Sequence, residues 1–261
     1  MNTKPLPVVD QEAWDPQARR GLRGFLMAPL QLFFAFAFLT PVAALAYVYP
    51  QFCRRRARWI IGTWGRVQLA LLGIKVEVHG LEHISEPGPA IMLFNHQSVL
   101  DLLVVSSIWP ENAKVLYKKE FHRIPVLGKT MHSLEMISID RSNREQAVAT
   151  MAAAAKTITD HDVKVCLAPE GTRSRTDGML PFKRGPFHMA IATGAPMIPL
   201  VLQGIRKVLP PGTFISRGGT IRIDILPPID TTSWAVETID QHIADTRAAY
   251  TAYVPPQTEP S

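Results

Sequence analysis

An uncharged interval near the N-terminus of this chain constrains its fold more than any other sequence feature. No Asp, Glu, Lys or Arg occurs in the 30 residues between Arg23 and Arg54, and residues 25–49 are almost wholly apolar. A segment of this length can cross the roughly 30 Å hydrocarbon core of a bilayer. It is too long, and starts too far from the N-terminus, to be a signal peptide. The interval therefore predicts attachment to a membrane.

The basic charge of the chain is concentrated around this interval. Residues 1–60 carry eight basic and three acidic side chains, which is +5 of the formal net charge of +6. The other residues carry 20 basic and 19 acidic side chains, a net charge of +1. Net charge therefore gives the folded domain no basic face of the kind that binds nucleic acid, and we expect no nucleic-acid partner.

Two arrangements of the apolar interval are open. Arginines lie on both sides of it, at residues 19–23 and 54–58, whereas a spanning helix usually has them enriched on one side. Pro41 is expected to kink or break the first helix, and a second apolar segment follows at residues 59–74. We therefore favour a membrane-embedded helical hairpin in one leaflet, with its arginines at the lipid headgroups. A single transmembrane helix is the alternative.

From residue 74 onward, short apolar runs alternate with helical stretches. Strands are predicted at 74–79, 90–94, 114–117, 136–139, 163–168, 197–203 and 220–226, and helices at 98–108, 143–160, 185–193 and 235–253. This alternation predicts an α/β fold with a mostly parallel central sheet flanked by helices. The predicted organisation is an N-terminal basic tail (1–24), the hairpin or transmembrane helix (25–73), an α/β domain (74–253) and a disordered tail (254–261).

A candidate general base follows the strand predicted at 90–94. His96 and Asp101 lie five residues apart, so on one helix they would be separated by about 140°. They can meet only if His96 lies in the turn between strand and helix and Asp101 lies on the first helical turn. Asp101 would then fix the imidazole tautomer and leave the other ring nitrogen as a base. A structural hydrogen-bonded pair is the alternative for this motif taken alone.

No protein nucleophile is indicated beside this base. Ser98 has no G-x-S-x-G turn around it and is more simply explained as a helix cap. Cys166 lies inside an apolar strand, where thiols are usually buried and inert. The two cysteines, Cys53 and Cys166, form no disulfide framework, and no Cys/His cluster suggests zinc. We therefore expect the substrate to supply the nucleophile, most simply as a hydroxyl.

Basic side chains follow several of the predicted strands. Charge-assisted hydrogen bonds from arginines can clamp a phosphate, and a helix N-terminus favours an anion. Because these cations recur where strands end, we expect a groove for an anionic substrate. The candidates are Lys118, Arg141, Arg173, Arg175 and Lys183.

Four motifs in this order resemble those of the glycerolipid acyltransferase family, specifically the 1-acylglycerol-3-phosphate acyltransferases of the bacterial PlsC type. They are N-H-x4-D at residues 95–101, a block ending in Arg141, E-G-T-R-S at 170–174 and an apolar block around Pro199. The resemblance covers roughly residues 75–225. The second block departs from the family at Leu134, Glu135, Met136 and Ser138, where members often carry glycine and phenylalanine.

The resemblance implies acyl transfer to a lysophospholipid, most simply 1-acylglycerol-3-phosphate, which gives phosphatidic acid. His96, oriented by Asp101, would deprotonate the acceptor hydroxyl, which attacks the thioester of acyl-CoA or acyl carrier protein. The implied acceptor- and phosphate-binding residues are Arg141, Glu170, Gly171, Thr172 and Arg173, and neither metal nor cofactor is implied. The expected location is the inner membrane, with the globular domain on the cytoplasmic side, where the acyl donors are.

Other functions stay open at this point. A different acceptor, such as a lyso-ornithine lipid or another lysolipid, would use the same pair of residues. A membrane-bound serine hydrolase would use Ser98 with His96. A noncatalytic membrane-binding protein is disfavoured because both polar motifs are intact.

Overall fold

The computed structural model describes residues 22–124, 126–174, 178–210 and 215–254. Residues 1–21 of the predicted basic tail lie outside these ranges. Arg175 and residues 255–261 of the predicted C-terminal tail also lie outside them. Val254, which we expected to begin the disordered tail, is buried against the hydrophobic core. The packed domain therefore extends at least one residue further than predicted.

The described chain forms seven strands, ten α-helices and two 3-10 helices. The strands are β1 (Ile74–His79), β2 (Ala90–Phe94), β3 (Ala113–Lys118), β4 (Ile137–Ile139), β5 (Lys164–Leu167), β6 (Met197–Gln203) and β7 (Gly219–Ile225). The helices are α1 (Leu22–Val48), α2 (Pro50–Arg55), α3 (Ala57–Leu71), α4 (Glu82–Ser85), α5 (Leu100–Ser107), α6 (Leu127–Ser133), α7 (Arg144–His161), α8 (Gly185–Thr193), α9 (Ile205–Val208) and α10 (Ile239–Thr251), with 3-10 turns at Lys119–Arg123 and Val236–Thr238.

The strands form one sheet in the order β1-β7-β6-β2-β5-β3-β4. Every neighbouring pair is parallel except β6 and β7, so β1 and β7 run opposite to the other five. The predicted mostly parallel sheet flanked by helices is confirmed. The carboxyl ends of β2, β3, β4, β5 and β6 therefore meet at one edge, which is where α/β proteins place their sites.

Helix α1 runs unbroken through Pro29 and Pro41, so of the kink or break predicted at Pro41 the break does not occur. A proline in a helix removes one backbone hydrogen bond, and packing on both sides can hold the helix together. Leu39 and Ala46 are buried, and Val42 packs against the same core. The segment Pro29–Val48 of this helix is long and apolar enough to cross a membrane.

Helices α1 and α3 form an antiparallel hairpin that packs along the α/β domain. The chain reverses at α2, and Gln68 near the end of α3 donates to the carbonyl oxygen of Gln31 on α1 at 3.5 Å. Helix α1 also packs against α6, and α3 packs against α5. At the turn of the hairpin, Arg54 forms a 2.6 Å ion pair with Glu135. Glu135 also pairs with Lys114 near the start of β3. The hairpin and the α/β domain therefore share a hydrophobic core, so the predicted boundary at residue 74 does not separate two independently packed units.

Candidate active site

Hydrogen bonds hold the turn after β2 against the central strands of the sheet. All five residues of β2 are buried, and Asn95, which follows them, is fully buried. Its side-chain amide donates to the carbonyl oxygen of Leu202 at 3.0 Å and accepts from the amide of Leu202 at 2.7 Å. Asn95 was not among the predicted site residues, although its place directly before His96 was a signal. It fixes the position of the turn on β6.

His96 and Asp101 meet in the way their spacing required. His96 lies in the turn, and Asp101 lies on the first turn of α5 with its Oδ2 atom 2.6 Å from Nδ1 of His96. The same oxygen accepts from the amides of Gln97 at 2.8 Å and Ser98 at 3.0 Å. Because a carboxylate accepts, Nδ1 carries the proton.

The other ring nitrogen of His96 is left without a hydrogen-bond partner in the part of the chain that the structure describes. The imidazole is 22% exposed, whereas the Asp101 side chain is 1% exposed. Within the described ranges, Nε2 has no hydrogen-bond partner. The arrangement leaves one oriented, solvent-accessible lone pair, which is what a general base needs.

Ser98 and Cys166 are not placed as nucleophiles. The Ser98 hydroxyl is buried and accepts from the amide of Leu100, the first residue of α5, at 3.3 Å. It thus helps to start the helix, although Val99 is the residue at the cap position. Cys166 is fully buried in β5, and burial raises the pKa of its thiol well above its usual value. Neither group can reach an external carbonyl carbon.

The segment after β5 contacts the turn that carries His96 through the side chain of Glu170. Its Oε1 atom accepts from the amide of His96 at 2.6 Å and its Oε2 atom from the amide of Leu180 at 2.7 Å. The side chain is 1% exposed. Glu170 was expected to contact the acceptor. Its position argues against that role because both oxygens are occupied and solvent does not reach them.

Two cations converge beside Gly171. Arg141 donates to the carbonyl oxygen of Gly171 at 2.6 Å, and Cγ of Lys183 lies 3.4 Å from where a Gly171 side chain would begin. Gly171 has a φ of +73°, a left-handed conformation that favours glycine. Because Gly171 follows Glu170 directly, these cations lie one residue from the group that holds His96. They place two positive charges next to the segment that contacts His96.

The remaining predicted residues are more peripheral. Thr172 and Arg173 are exposed, and Arg173 has no partner among the described residues. Lys118 pairs with Glu120 at 3.1 Å at the end of β3. Within the described ranges, no three His, Cys, Asp or Glu side chains lie close enough together to hold a metal ion.

An apolar cavity lies between the hairpin and the sheet. It is partly open to solvent, and it was not predictable from the sequence because it forms between side chains of five separate helices and strands. Its walls include Leu39 of α1, Trp64 of α3, Leu102 of α5 and Met131 of α6. Leu102 follows Asp101 on α5, although neither Asp101 nor His96 is among the described residues that line the cavity.

Comparison with known proteins now identifies the family. The sequence model described as Acyltransferase matches residues 75–203. The chain is 34% identical over 196 residues to the 1-acyl-sn-glycerol-3-phosphate acyltransferase of Limnanthes douglasii, which covers 75% of this chain and 69% of that protein. The chain belongs to the 1-acyl-sn-glycerol-3-phosphate acyltransferase family. The alpha form of this acyltransferase in Homo sapiens is 34% identical over 161 residues, covering 62% of this chain and 57% of the human protein.

The fold of this acyltransferase is also that of a family member of known structure. The crystal structure of the 1-acyl-sn-glycerophosphate acyltransferase PlsC from Thermotoga maritima superposes with a TM-score of 0.76, covering 88% of this chain and 94% of that one. Sequence identity over this match is 22%, so the likeness concerns the fold. The expected family and enzyme class are confirmed.

Proposed function

We propose that this acyltransferase transfers a fatty acyl group from acyl-CoA or acyl carrier protein to the free hydroxyl of 1-acylglycerol-3-phosphate, producing phosphatidic acid. The observation that carries the proposal is the oriented His96 imidazole, with Nδ1 held by Asp101 and Nε2 open to substrate. The names of the relatives supply the acceptor, and the cations beside the base agree with a phosphate-bearing one.

The proposed reaction needs one base and no protein nucleophile. Nε2 of His96 takes the proton from the acceptor hydroxyl while the oxygen bonds to the carbonyl carbon of the thioester. The tetrahedral intermediate collapses, the carbon–sulfur bond breaks, and the thiolate takes the proton back from the imidazolium. Asp101 stabilises the imidazolium throughout, because its buried carboxylate lies 2.6 Å from Nδ1.

The acceptor phosphate is proposed to bind at the cations beside Gly171. Arg141 and Lys183 converge there, and Arg173 extends from the same loop into solvent. Guanidinium groups bind phosphate through two parallel charge-assisted hydrogen bonds, which fixes orientation as well as position. With the phosphate at this loop, the glycerol hydroxyl lies towards His96.

The acyl chain is proposed to enter the apolar cavity between the hairpin and the sheet. The cavity surface is formed almost entirely by carbon atoms of aliphatic and aromatic side chains. A hydrocarbon chain is the ligand that such walls favour, since it loses its contact with water there.

The hairpin is proposed to lie in the cytoplasmic leaflet of the inner membrane and not to cross it. If α1 crossed the bilayer, the parts of α3 and α6 that pack along it would be drawn into the hydrocarbon as well. Large apolar side chains remain exposed on the hairpin, among them Phe33 at 70%, Tyr47 at 88% and Trp59 at 63%. Such a concentration marks a membrane contact surface, with the nearby arginines at the headgroups.

The test compares acceptors and donors with the purified full chain in detergent. The acceptors are 1-acylglycerol-3-phosphate, a lysophosphatidylcholine and a lyso-ornithine lipid, each with acyl-CoA and with acyl carrier protein. We expect the highest kcat/KM for the phosphate monoester. Faster transfer to an acceptor without that group would overturn the proposed substrate, and labelling of Ser98 by a fluorophosphonate would instead indicate a hydrolase.

A further inference from the structure

Glu170 connects the turn that carries His96 with the segment that carries the proposed acceptor-binding residues. Its two oxygens accept from the amide of His96 in the catalytic turn and from the amide of Leu180, ten residues further along the chain. The side chain thus spans the base of the segment that carries Gly171 and Arg173. A carboxyl this deeply buried, with each oxygen already accepting from a backbone amide, is not accessible to a ligand hydroxyl.

The same segment holds His96 at a second point. The amide of Ser174 donates to the carbonyl oxygen of His96 at 2.8 Å. The segment therefore binds both backbone polar groups of His96, one through Glu170 and one through Ser174. The residues between these two points include Arg173 and Gly171, beside which the cations lie. A displacement of this segment is transmitted directly to the backbone of His96.

We infer that Glu170 is a positioning residue that fixes His96 relative to the acceptor-binding segment, and not an acceptor ligand. The inference rests on the proposed function, and it reverses the role that the family resemblance implied for this residue. It explains why a carboxylate is buried beside a second one, Asp101. Each carboxylate holds a different part of His96, Asp101 the ring and Glu170 the backbone.

The decisive variant is Glu170→Gln, because it keeps the shape of the side chain and places an NH₂ group against one of the two backbone N–H groups. We expect kcat to fall by about 10- to 100-fold, since small displacements of a reacting group have effects of this size. KM for 1-acylglycerol-3-phosphate should stay within about twofold, because transition-state positioning and acceptor affinity are separate quantities. Glu170→Asp retains the charge but is too short to span both amides, so it should show the same loss of kcat.

Asp224→Asn is the matched control. Asp224 is also a buried carboxylate that accepts hydrogen bonds through both oxygens, from Arg222 and Gln203, and it does not contact the catalytic turn. Its variant should lose thermal stability as the Glu170 variants do, with kcat close to that of the wild type. Equal losses of kcat in both would reduce Glu170 to a general stabilising residue and overturn the inference.

Amide hydrogen exchange separates this inference from the proposed function. In the substrate-free full chain, Glu170→Gln should speed exchange in the peptide that contains the His96 amide. If the wild type fails to acylate 1-acylglycerol-3-phosphate, the proposed function is wrong, while unchanged exchange would still refute the Glu170 contact. A rise in KM for the acceptor with kcat unchanged would show that Glu170 binds substrate.

Discussion

The guanidinium of Arg141 donates a 2.6 Å hydrogen bond to the carbonyl oxygen of Gly171, a residue 30 positions further along the chain. Arg141 follows β4, the edge strand of the sheet, and Gly171 follows β5, two places away in the strand order. The bond therefore reaches past the end of β3 and ties two strand-end loops together. It fixes the cation before substrate binds, so less side-chain freedom is lost when a phosphate arrives.

Removing the proposed base should abolish turnover without unfolding the protein. His96→Ala is expected to lower kcat by about 10²- to 10⁴-fold, the usual contribution of a general base. Asp101→Asn should also be severe, because Asp101 holds the His96 ring and two backbone amides of the turn. Steady-state kinetics alongside circular dichroism check both variants. Wild-type turnover by His96→Ala would refute the mechanism.

Removing the exposed loop cation should weaken acceptor binding more than donor binding. Arg173→Ala is expected to raise KM for 1-acylglycerol-3-phosphate by about 10- to 150-fold, since a hydrogen bond to a charged group contributes about 1.5–3 kcal/mol. Lys156→Ala removes the same charge from an exposed position on α7 and should leave both KM values unchanged. If Arg173→Ala changed only the KM for the acyl donor, Arg173 would belong to the donor site.

Two glycines of α3 test how closely the hairpin packs on the domain. A Cβ atom on Gly65 would lie 2.7 Å from the amide nitrogen of Ser107 and 2.9 Å from the carbonyl oxygen of Leu103. Gly65→Ala should therefore cost about 1–3 kcal/mol of stability through overpacking. At Gly62 the nearest atom, at 3.0 Å, ends the flexible side chain of Arg66. Thermal unfolding in detergent should show Gly62→Ala to be harmless; equal destabilisation by both would contradict this packing.

The buried carboxyl of Glu170 should make stability depend on pH. Burial raises its pKa from 4.5 to about 7, with a smaller rise from Asp101, while the amides of His96 and Leu180 and the charge of Arg247 lower it. The folded state thus binds this proton more tightly than the unfolded state, so the contribution to stability is present below pH 4.5 and is lost as pH rises to 7.

Glu170→Gln cannot titrate, which isolates this contribution. The melting temperature of the variant minus that of the wild type should therefore become more positive between about pH 5 and pH 8. Melting curves of the variant and of the wild type, recorded at about pH 5 and about pH 8, measure this difference in melting temperature. A difference that stays constant with pH would show that the Glu170 carboxyl has an ordinary pKa.

Thiol labelling decides between the hairpin and a spanning helix. Single cysteines replace Asp10 and the exposed Glu82 in a Cys53→Ala, Cys166→Ala background. In the hairpin arrangement both positions are on the cytoplasmic side, so an impermeant thiol reagent should label neither in intact cells and both after lysis. Labelling of position 10 from outside, with position 82 protected, would establish that α1 crosses the membrane.

The strands were predictable because each is a short apolar run between polar turns. The run at residues 90–94 has the bounds of β2, and the predicted helix at 143–160 lies within one residue of α7 at both ends. Helices α4 and α6 were missed because segments of four and seven residues carry too little periodicity. A break was predicted at Pro41 because local backbone chemistry favours one there, whereas packing of Leu39 and Ala46 maintains the helix.

Within the site, local geometry could be predicted and long-range contacts could not. The meeting of His96 and Asp101 follows from a five-residue spacing across a turn. The contact of Glu170 with His96 joins residues 74 positions apart, and nothing in the motif tells whether its carboxylate faces substrate or backbone. Motif position alone therefore assigned Glu170 to the acceptor, and only the fold shows what its oxygens hold.

The close approach of α3 to α5 at Gly65 means that the N-terminal hairpin cannot be removed without disturbing the α/β domain. A fragment beginning at residue 74 would lose the helix that packs on α5 at Leu103, Ser106 and Ser107. Such a fragment should aggregate, and a protease that cuts near Gly73 should release no soluble enzyme. For this protein, the segment proposed to contact lipid is also part of the hydrophobic core, so a purification that strips one also exposes the other.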